Sequence, residues 1–298
     1  MEWAWVRICP SPEKEIMTKD YETLLTGWAV EDPFYEEIFG NLAEQSWQVS
    51  LRSRSDGWLA GIPLARKAAE TIGLEAIWRK QSGEKVFAGE EIAEFIGSPQ
   101  QIVKFENLVI GLISKPSGIA SAAQKARKLA SGKVRLVSGG WKKHPFPIKD
   151  MVLEAVTAGG IAHRIVDEPF IYLDKNYVRI FGGISQALQA VASHAKTKVI
   201  QLRGEFLPIA EEAREALSLG ADVLMVDTGS WKDLDEVLGV MREKNLSYAA
   251  KLAFAGGIKL EDIPLLNEKG VDILDIGASI LDAPWLELTY DVMGKAKD

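Results

Sequence analysis

Residues able to do chemistry recur along this chain in a fixed order: cations first, then an acid, then glycine-lined turns. Lys142-Lys143-His144-Pro145 and Gly159-Gly160-Ile161-Ala162-His163-Arg164 come first. An apolar run then ends in an acid, Met225-Val226-Asp227, and two turns follow, Ala255-Gly256-Gly257-Ile258 and Ile276-Gly277-Ala278. Lysine ammonium and arginine guanidinium groups neutralise carboxylates and phosphates. An aspartate at a strand end can serve Mg²⁺ held by a diphosphate, or accept from a ribose hydroxyl. Glycines between a strand and a helix let backbone N–H groups and the helix dipole hold a phosphate. The combined chemistry is that of a pocket for a small anionic molecule carrying a phosphate.

Each signal also has a plainer reading. Ser138-Gly139-Gly140-Trp141 with Lys142, Lys143 and His144 is equally a solvated loop. Arg164 has Asp167 and Glu168 nearby in sequence as ion-pair partners, and Asp227 is a residue type that caps helices. Two of the three histidines, His144 and His163, lie beside the cation clusters, and ionisable groups gather at sites. Side chains alternate along a strand, so Gln201, Arg203 and Glu205 share one face if the strand starting at Lys198 extends that far.

The elements that must position these residues fall into two textures. Short strand-like runs at Trp47–Arg52, Trp58–Ile62, Leu74–Arg79 and Lys85–Phe87 are separated by Asp56-Gly57, Ser82-Gly83 and Ala88-Gly89, with a helix over Pro63–Thr71. That predicts an α+β layer with a mostly antiparallel sheet. Apolar residues at three- and four-residue steps predict two helices, Pro99–Ile113 and Ile119–Leu129. After Gly132 strands and helices alternate: Val134–Val137 then Ile148–Thr157; Lys198–Leu202 then Leu207–Leu219; Asp222–Val226 then Lys232–Glu243; Ala249–Phe254 then Leu260–Lys269; then Val271–Ile276. Apolar strands without polar alternation belong to a parallel sheet covered on both faces. The expected fold is α/β: an N-terminal α+β sandwich, residues 1–116, followed by an incomplete parallel α/β barrel, residues 117–298, which carries the phosphate-binding site at its strand ends.

Composition narrows the classes. The chain has 298 residues, 47% hydrophobic and 26% charged, as in ordinary globular proteins. A net charge of −7 argues against a general nucleic-acid binder while allowing a local basic pocket. The single cysteine, Cys9, excludes an intrachain disulfide and is expected to be an idle thiol. The Met1-Glu2-Trp3-Ala4-Trp5 start lacks a secretory layout, and no apolar run reaches the roughly 20 residues that span a bilayer. A cytoplasmic protein without membrane or nucleic-acid partners is expected.

Taken in order over about Glu31 to Val292, these motifs, with the Trp58–Ile62 stretch, Glu106-Asn107 and Ser117-Gly118-Ile119-Ala120, resemble the quinolinate phosphoribosyltransferase family. The resemblance implies a sandwich-plus-barrel enzyme, usually a homodimer or larger homo-oligomer. It joins a pyridine carboxylate to phosphoribosyl pyrophosphate with Mg²⁺, releasing pyrophosphate and, for quinolinate, CO₂, in NAD biosynthesis. It implies catalytic and metal-binding roles for Asp227 and Glu205. Lys142, Lys143, His144, His163, Arg164 and Asn107 are then assigned to the acid. Arg203, Lys175, Gly256, Gly257, Gly277 and Ala278 are assigned to the phosphoribosyl and phosphate groups.

Departures cluster at the substrate end. The family's Glu-Arg is Glu106-Asn107, which loses a partner-donated cation, and its Thr-Arg-Lys-Thr loop is Trp141-Lys142-Lys143-His144. Its Lys-Asp-Asn-His turn reads Leu173-Asp174-Lys175-Asn176, and its metal-binding Glu aligns with Arg203 or, with a shift, Glu205. Lys143-His144-Pro145 is similar to the Arg-His-Pro of nicotinate enzymes, so nicotinate or another aromatic acid stands beside quinolinate as the acceptor. The competing expectation is a catalytically diverged paralogue that binds a phosphorylated ligand in a regulatory or transport-associated role. A bare α/β scaffold explains the glycine turns least well.

Overall fold

The computed structural model describes residues 34–243 and 250–296. Cys9 and Ala249, on which two expectations touch, lie outside them. The chain divides into two units, one formed by residues 34–125, 140–163 and 280–296, the other by 126–139 and 164–279.

The first unit is built on β1 (Trp47–Ser53), β3 (Glu75–Trp78) and β5 (Glu91–Gly97), with the two-residue strands β2 (Gly57–Trp58) and β4 (Lys85–Val86) paired apart. Val49 and Leu51 point into the core at 0% exposure, while Ser50 and Arg52 lie on the opposite face. Helix Ile62–Ile72 covers the sheet with Leu64, Ala65, Ala68 and Ala69, and the long helix Pro99–Ala130 adds Ile102, Phe105, Val109 and Ile113. Those three- and four-residue steps make one apolar stripe.

The sequence predicts two helices, Pro99–Ile113 and Ile119–Leu129, and the structure instead has one helix of 32 residues that runs through Pro116. Proline removes one helical N–H and crowds the carbonyl four residues earlier, which is that of Leu112. Gly61, with φ +83°, lies so close to that carbonyl that a methyl on it would come within 1.9 Å of the oxygen. Neighbouring turns are anchored outside the helix: Ser114 Oγ donates to Leu286 O at 2.6 Å, Lys115 Nζ donates to Ala283 O at 2.7 Å, and Ser117 Oγ accepts from Ala60 N at 3.0 Å. Tertiary hydrogen bonds hold the helix together where local preference would end it.

The second unit is a parallel six-stranded sheet, the incomplete barrel. Its strands are β6 (Arg135–Val137), β7 (Ile171–Leu173), β8 (Lys198–Leu202), β9 (Val223–Val226), β10 (Lys251–Ala255) and β11 (Ile273–Asp275), in the order β6-β11-β10-β9-β8-β7. β8 and β9 are almost wholly buried along their length, the pattern of a sheet covered on both faces. Polar groups therefore collect where the strands end. Registers Leu202↔Val226, Phe254↔Val226 and Ala255↔Asp275 align those ends, so the residues after Leu202, Val226 and Ala255 are spatial neighbours.

The first unit closes with β12 (Leu288–Lys295), which pairs antiparallel with β1 and completes the order β12-β1-β5-β3. The strand reading missed both β5 and β12. Among the described residues no helix is long and apolar enough to cross a membrane.

Candidate functional site

The C-terminal ends of β7, β8 and β9 assemble a polar cluster around Asp227. Gln201 is the last inward polar residue of β8 and is only 5% exposed. Its Oε1 accepts from Lys175 N at 2.6 Å and its Nε2 donates to Asp227 Oδ2. An N–H on one side and a carboxylate on the other permit only that amide orientation. Gln201 thus fixes Asp227 from beneath. The plainer role for Asp227, capping the next helix, belongs to Ser230, whose hydroxyl accepts from Asp233 N at the start of helix Trp231–Met241. The Asp227 side chain stays about one-third exposed.

Arg203 follows β8 directly. Its Nη1 donates to the Asp227 main-chain oxygen and lies 3.8 Å from Asp227 Oδ2, while its Nε donates to Glu205 Oε1 at 3.1 Å. Arg179, on helix Lys175–Phe181, forks onto the same Glu205 through Nε and Nη2, each at 2.7 Å. These partners, Arg179 first, hold the Glu205 carboxyl below the usual carboxylate range. Glu205 and Asp227, expected as a metal pair, are therefore bridged by a guanidinium. Among the described residues no group of three or more His, Cys, Asp or Glu side chains is placed to hold a metal ion.

The predicted strand face Gln201–Arg203–Glu205 does not extend that far. β8 ends at Leu202 and Gly204 takes φ +67°, which breaks the alternation. The loop instead wraps around Glu212, which is 1% exposed. Its Oε2 accepts from Arg203 N at 3.0 Å and Gly204 N at 2.8 Å, and its Oε1 accepts from Glu205 N at 3.0 Å and Phe206 N at 3.2 Å. One carboxylate thus sets the backbone from which both Arg203 and Glu205 project. Sequence reasoning missed Glu212, yet a signal was present. In helix Ile209–Ser218 it shares the buried face with Ile209, Ala213, Ala216 and Leu217, and an acid on an apolar helix face needs buried donors.

Asp174 caps helix Lys175–Phe181, accepting from Asn176 N and Tyr177 N. Lys175 brings its backbone N–H to Gln201, and its side chain is exposed. Tyr172 in β7 is largely buried; burial first, then Asp227, Asp275 and Asp174, push its hydroxyl above the ordinary tyrosine range. Asp275 Oδ1 accepts from Gly139 N at 2.7 Å.

The glycine turns differ from one another. A methyl on Gly256 (φ +103°) would lie 2.4 Å from Gly229 N, and one on Gly229 would lie 2.2 Å from Gly256 O, so two loops touch backbone to backbone. Contrary to the sequence expectation, Gly256-Gly257 does not open a helix directly. Ile258 and Lys259 intervene before a 3₁₀ turn at Leu260–Asp262 and helix Ile263–Lys269, because both glycines take positive φ. Gly277 has no left-handed φ and its methyl would meet nothing within 4 Å; Ala278 begins the short helix Ala278–Leu281.

Arg164 is 8% exposed, with its guanidinium 5.5 Å from the Phe170 ring centre. Asp167, one of its expected partners, binds Arg135, whose Nη1 reaches Asp167 Oδ2 at 3.0 Å. No strand follows Gly160 until β7; residues 163–168 are bends. In the other unit, Lys142 and Lys143 are exposed on a 3₁₀ turn, Gly139–Lys143. His144 is half-buried and its N–H donates to Trp141 O at 3.1 Å. His163 O accepts from Trp141 Nε1 at 3.2 Å, and Asn107 is exposed on the long helix.

Comparison with known proteins agrees with this architecture. Residues 119–291 match the model for the quinolinate phosphoribosyl transferase C-terminal domain, and residues 20–117 match that for its N-terminal domain. A probable nicotinate-nucleotide pyrophosphorylase (carboxylating) of Methanothermobacter thermautotrophicus is 27% identical, with 81% of this chain and 87% of that protein aligned. The Bacillus subtilis protein of that description is also 27% identical, over 86% of each chain. The fold matches crystal structures of nicotinate-nucleotide pyrophosphorylases. The one from Pyrococcus furiosus has a TM-score of 0.79 at 18% identity, covering 94% of this chain and 78% of that one. The one from Francisella tularensis has a TM-score of 0.76 at 23% identity, covering 94% and 99%. With both domain models matched in order along one chain, this protein belongs to the quinolinate phosphoribosyltransferase family, a family of pentosyltransferases of NAD biosynthesis.

Proposed function

We propose that this chain transfers the phosphoribosyl group of phosphoribosyl pyrophosphate to the ring nitrogen of a pyridine carboxylic acid, quinolinate or nicotinate. The nitrogen lone pair forms the bond to ribose C1 while the C1–O bond to the diphosphate breaks, and pyrophosphate leaves with that electron pair. With quinolinate, the carboxylate beside the nitrogen then departs as CO₂, its bonding electrons remain on the ring carbon, and that carbon takes up a proton. Positive charge grows on the sugar as the leaving group loosens, so fixed electrostatics and positioning do most of the work.

The observation that carries this reading is Asp227. It is a one-third-exposed carboxylate held from beneath by buried Gln201, flanked by Arg203 and not spent on a helix cap. In the proposed reaction Asp227 orients the ribose hydroxyls and faces the developing positive charge, and Arg203 draws charge from the diphosphate. The turns at Gly256-Gly257 and Gly277-Ala278 approach the phosphate. Gly277 supports this because neither its backbone angle nor a neighbouring atom calls for glycine there.

The protein's own carboxylates do not fit a resident metal centre, since Glu205 is engaged by two guanidiniums and Asp227 by an amide and a guanidinium. Mg²⁺ is accordingly read as entering with its diphosphate as part of the substrate, as Mg²⁺ commonly does. Lys142, Lys143, His144, His163, Arg164 and Asn107 remain the residues assigned to the acid, and Lys175 to the phosphate, on the family pattern. Residues 117–298 are taken as the portion carrying the phosphoribosyl site, and a cytoplasmic homodimer completes the reading. The test is pyrophosphate release, with the mononucleotide product identified by mass, using quinolinate, nicotinate and other aromatic acids. Release with a pyridine acid is expected, and its absence with every acid overturns the reading.

A further inference from the structure

Two guanidiniums converge on one carboxylate at the mouth of the parallel sheet. Arg179 grips both oxygens of Glu205 at 2.7 Å, and Arg203 reaches Oε1 at 3.1 Å while its other arm lies against Asp227. Arg179 belongs to none of the sequence motifs considered above. All three side chains are open to solvent, at 50% for Arg179, 32% for Arg203 and 30% for Glu205. Exposed ion pairs of this kind contribute little to stability, so folding alone gives weak reason to gather three charges here. The backbone beneath them is nevertheless fixed rigidly, because Glu212 ties down the amides of residues 203–206. The Glu205 side chain can rotate away without moving that backbone.

A carboxylate held by two arginine forks presents oxygens as a phosphate does, and guanidinium matches both bidentately. We propose that Arg179 and Arg203 bind the diphosphate group directly, and that Glu205 is an internal anion which the diphosphate must displace. This rests on the phosphoribosyl-transfer reading and adds to it a second arginine and a competitor. With Glu205 in place the two arginines carry one net positive charge; with it swung out they carry two. The diphosphate exchanges one set of charge-assisted hydrogen bonds for another, and Glu205 is on hand to recapture both forks when pyrophosphate leaves. Its negative charge therefore lowers affinity for the diphosphate and speeds product release.

The decisive measurement is calorimetric binding of inorganic pyrophosphate to the full-length protein, at fixed ionic strength and with EDTA present, so that no metal contributes. Glu205→Gln is expected to bind pyrophosphate roughly fivefold to tenfold more tightly than the parent, Arg179→Ala about tenfold more weakly, and Arg179→Lys between them. In the double variant Arg179→Ala, Glu205→Gln most of the gain should vanish, because one of the released forks is gone. Thermal melts of each variant verify that the fold survives, as expected for side chains this exposed. A merely structural ion pair predicts no gain in affinity, so unchanged or weaker binding by Glu205→Gln overturns the proposal, as does absence of pyrophosphate binding by both parent and Glu205→Gln. The readout is separate from turnover. If no pyridine acid yields pyrophosphate yet the affinity order holds, the transfer reading fails and the arginine pair with its competitor stands.

Discussion

The two sheets handle charge in opposite ways. Across the outer face of the antiparallel sheet, Ser50, Arg52, Arg79, Glu91 and Glu94 satisfy one another: Ser50 Oγ donates to Glu91 Oε1 at 2.6 Å, Arg52 Nη2 reaches the same oxygen at 3.0 Å, and Arg79 contacts both Glu91 and Glu94. In the parallel sheet the central strands β8 and β9 are buried almost throughout, and Asp227, Arg203 and Glu205 stand past their final residues. A network spread over a sheet face stabilises that face. Charges gathered past the ends of buried strands have no such face to stabilise, and on the proposed function they meet the substrate.

Substitutions can break this contrast. The largest effect is expected from Glu212→Ala, which removes the buried carboxylate that accepts from four loop N–H groups. It should cost about 3 kcal/mol in urea unfolding and depress pyrophosphate release with it. Asp227→Asn should do the reverse, lowering kcat about 100-fold in steady-state assays while the unfolding midpoint barely moves. Gly256→Ala and Gly277→Ala form a pair. The first forces a methyl against Gly229 at positive φ and should cost about 2 kcal/mol. The second meets no atom, and should weaken phosphoribosyl pyrophosphate binding at unchanged stability. If Gly277→Ala binds as the parent does, the phosphate role of that turn is lost.

The smallest effect belongs to the antiparallel sheet. The Ser50 hydroxyl, then Arg79 and Arg52, hold the Glu91 carboxyl below its usual range. A carboxylate whose folded pKa is depressed contributes stability above its unfolded pKa, and that contribution fades as pH falls through the folded value. Glu91→Gln should therefore be less stable by about 1 kcal/mol near neutrality. The difference should close in acid, below the usual glutamate range, with catalysis untouched throughout. Denaturation followed across pH checks the sign.

Part of the fold was legible because its cause is local. Strands β6 and β8–β11 are short apolar runs, each bounded by glycine or a charge, and such runs read directly from the chain. β5 was not legible for an equally physical reason. Leu51 pairs with Ala93 and Arg52 with Glu91, so Ile92 is an extra residue. This bulge puts Glu91 and Glu94, three apart, on one face and erases the period-two pattern. β12 carries a similar shift, with Val49 opposite Val292 and Gln48 opposite Gly294, and its partner strand lies some 240 residues earlier. At the site, Asp227, Arg203 and the glycine turns stood out as residue types at strand ends. Arg179 did not, since nothing in the sequence around it predicts that its helix returns to Glu205.

The sequence by itself determined the order of the strands' apolar runs, the placing of acid and glycine at their ends, and so the family. It did so because burial on both sheet faces acts residue by residue along the chain. Only the tertiary structure decided that Pro116 sits inside one helix, that Glu212 gathers four amides, and that Arg203 reaches both Glu205 and Asp227. Each of these depends on a hydrogen bond or contact whose partner lies on another element, and no local pattern encodes which element folds back to supply it.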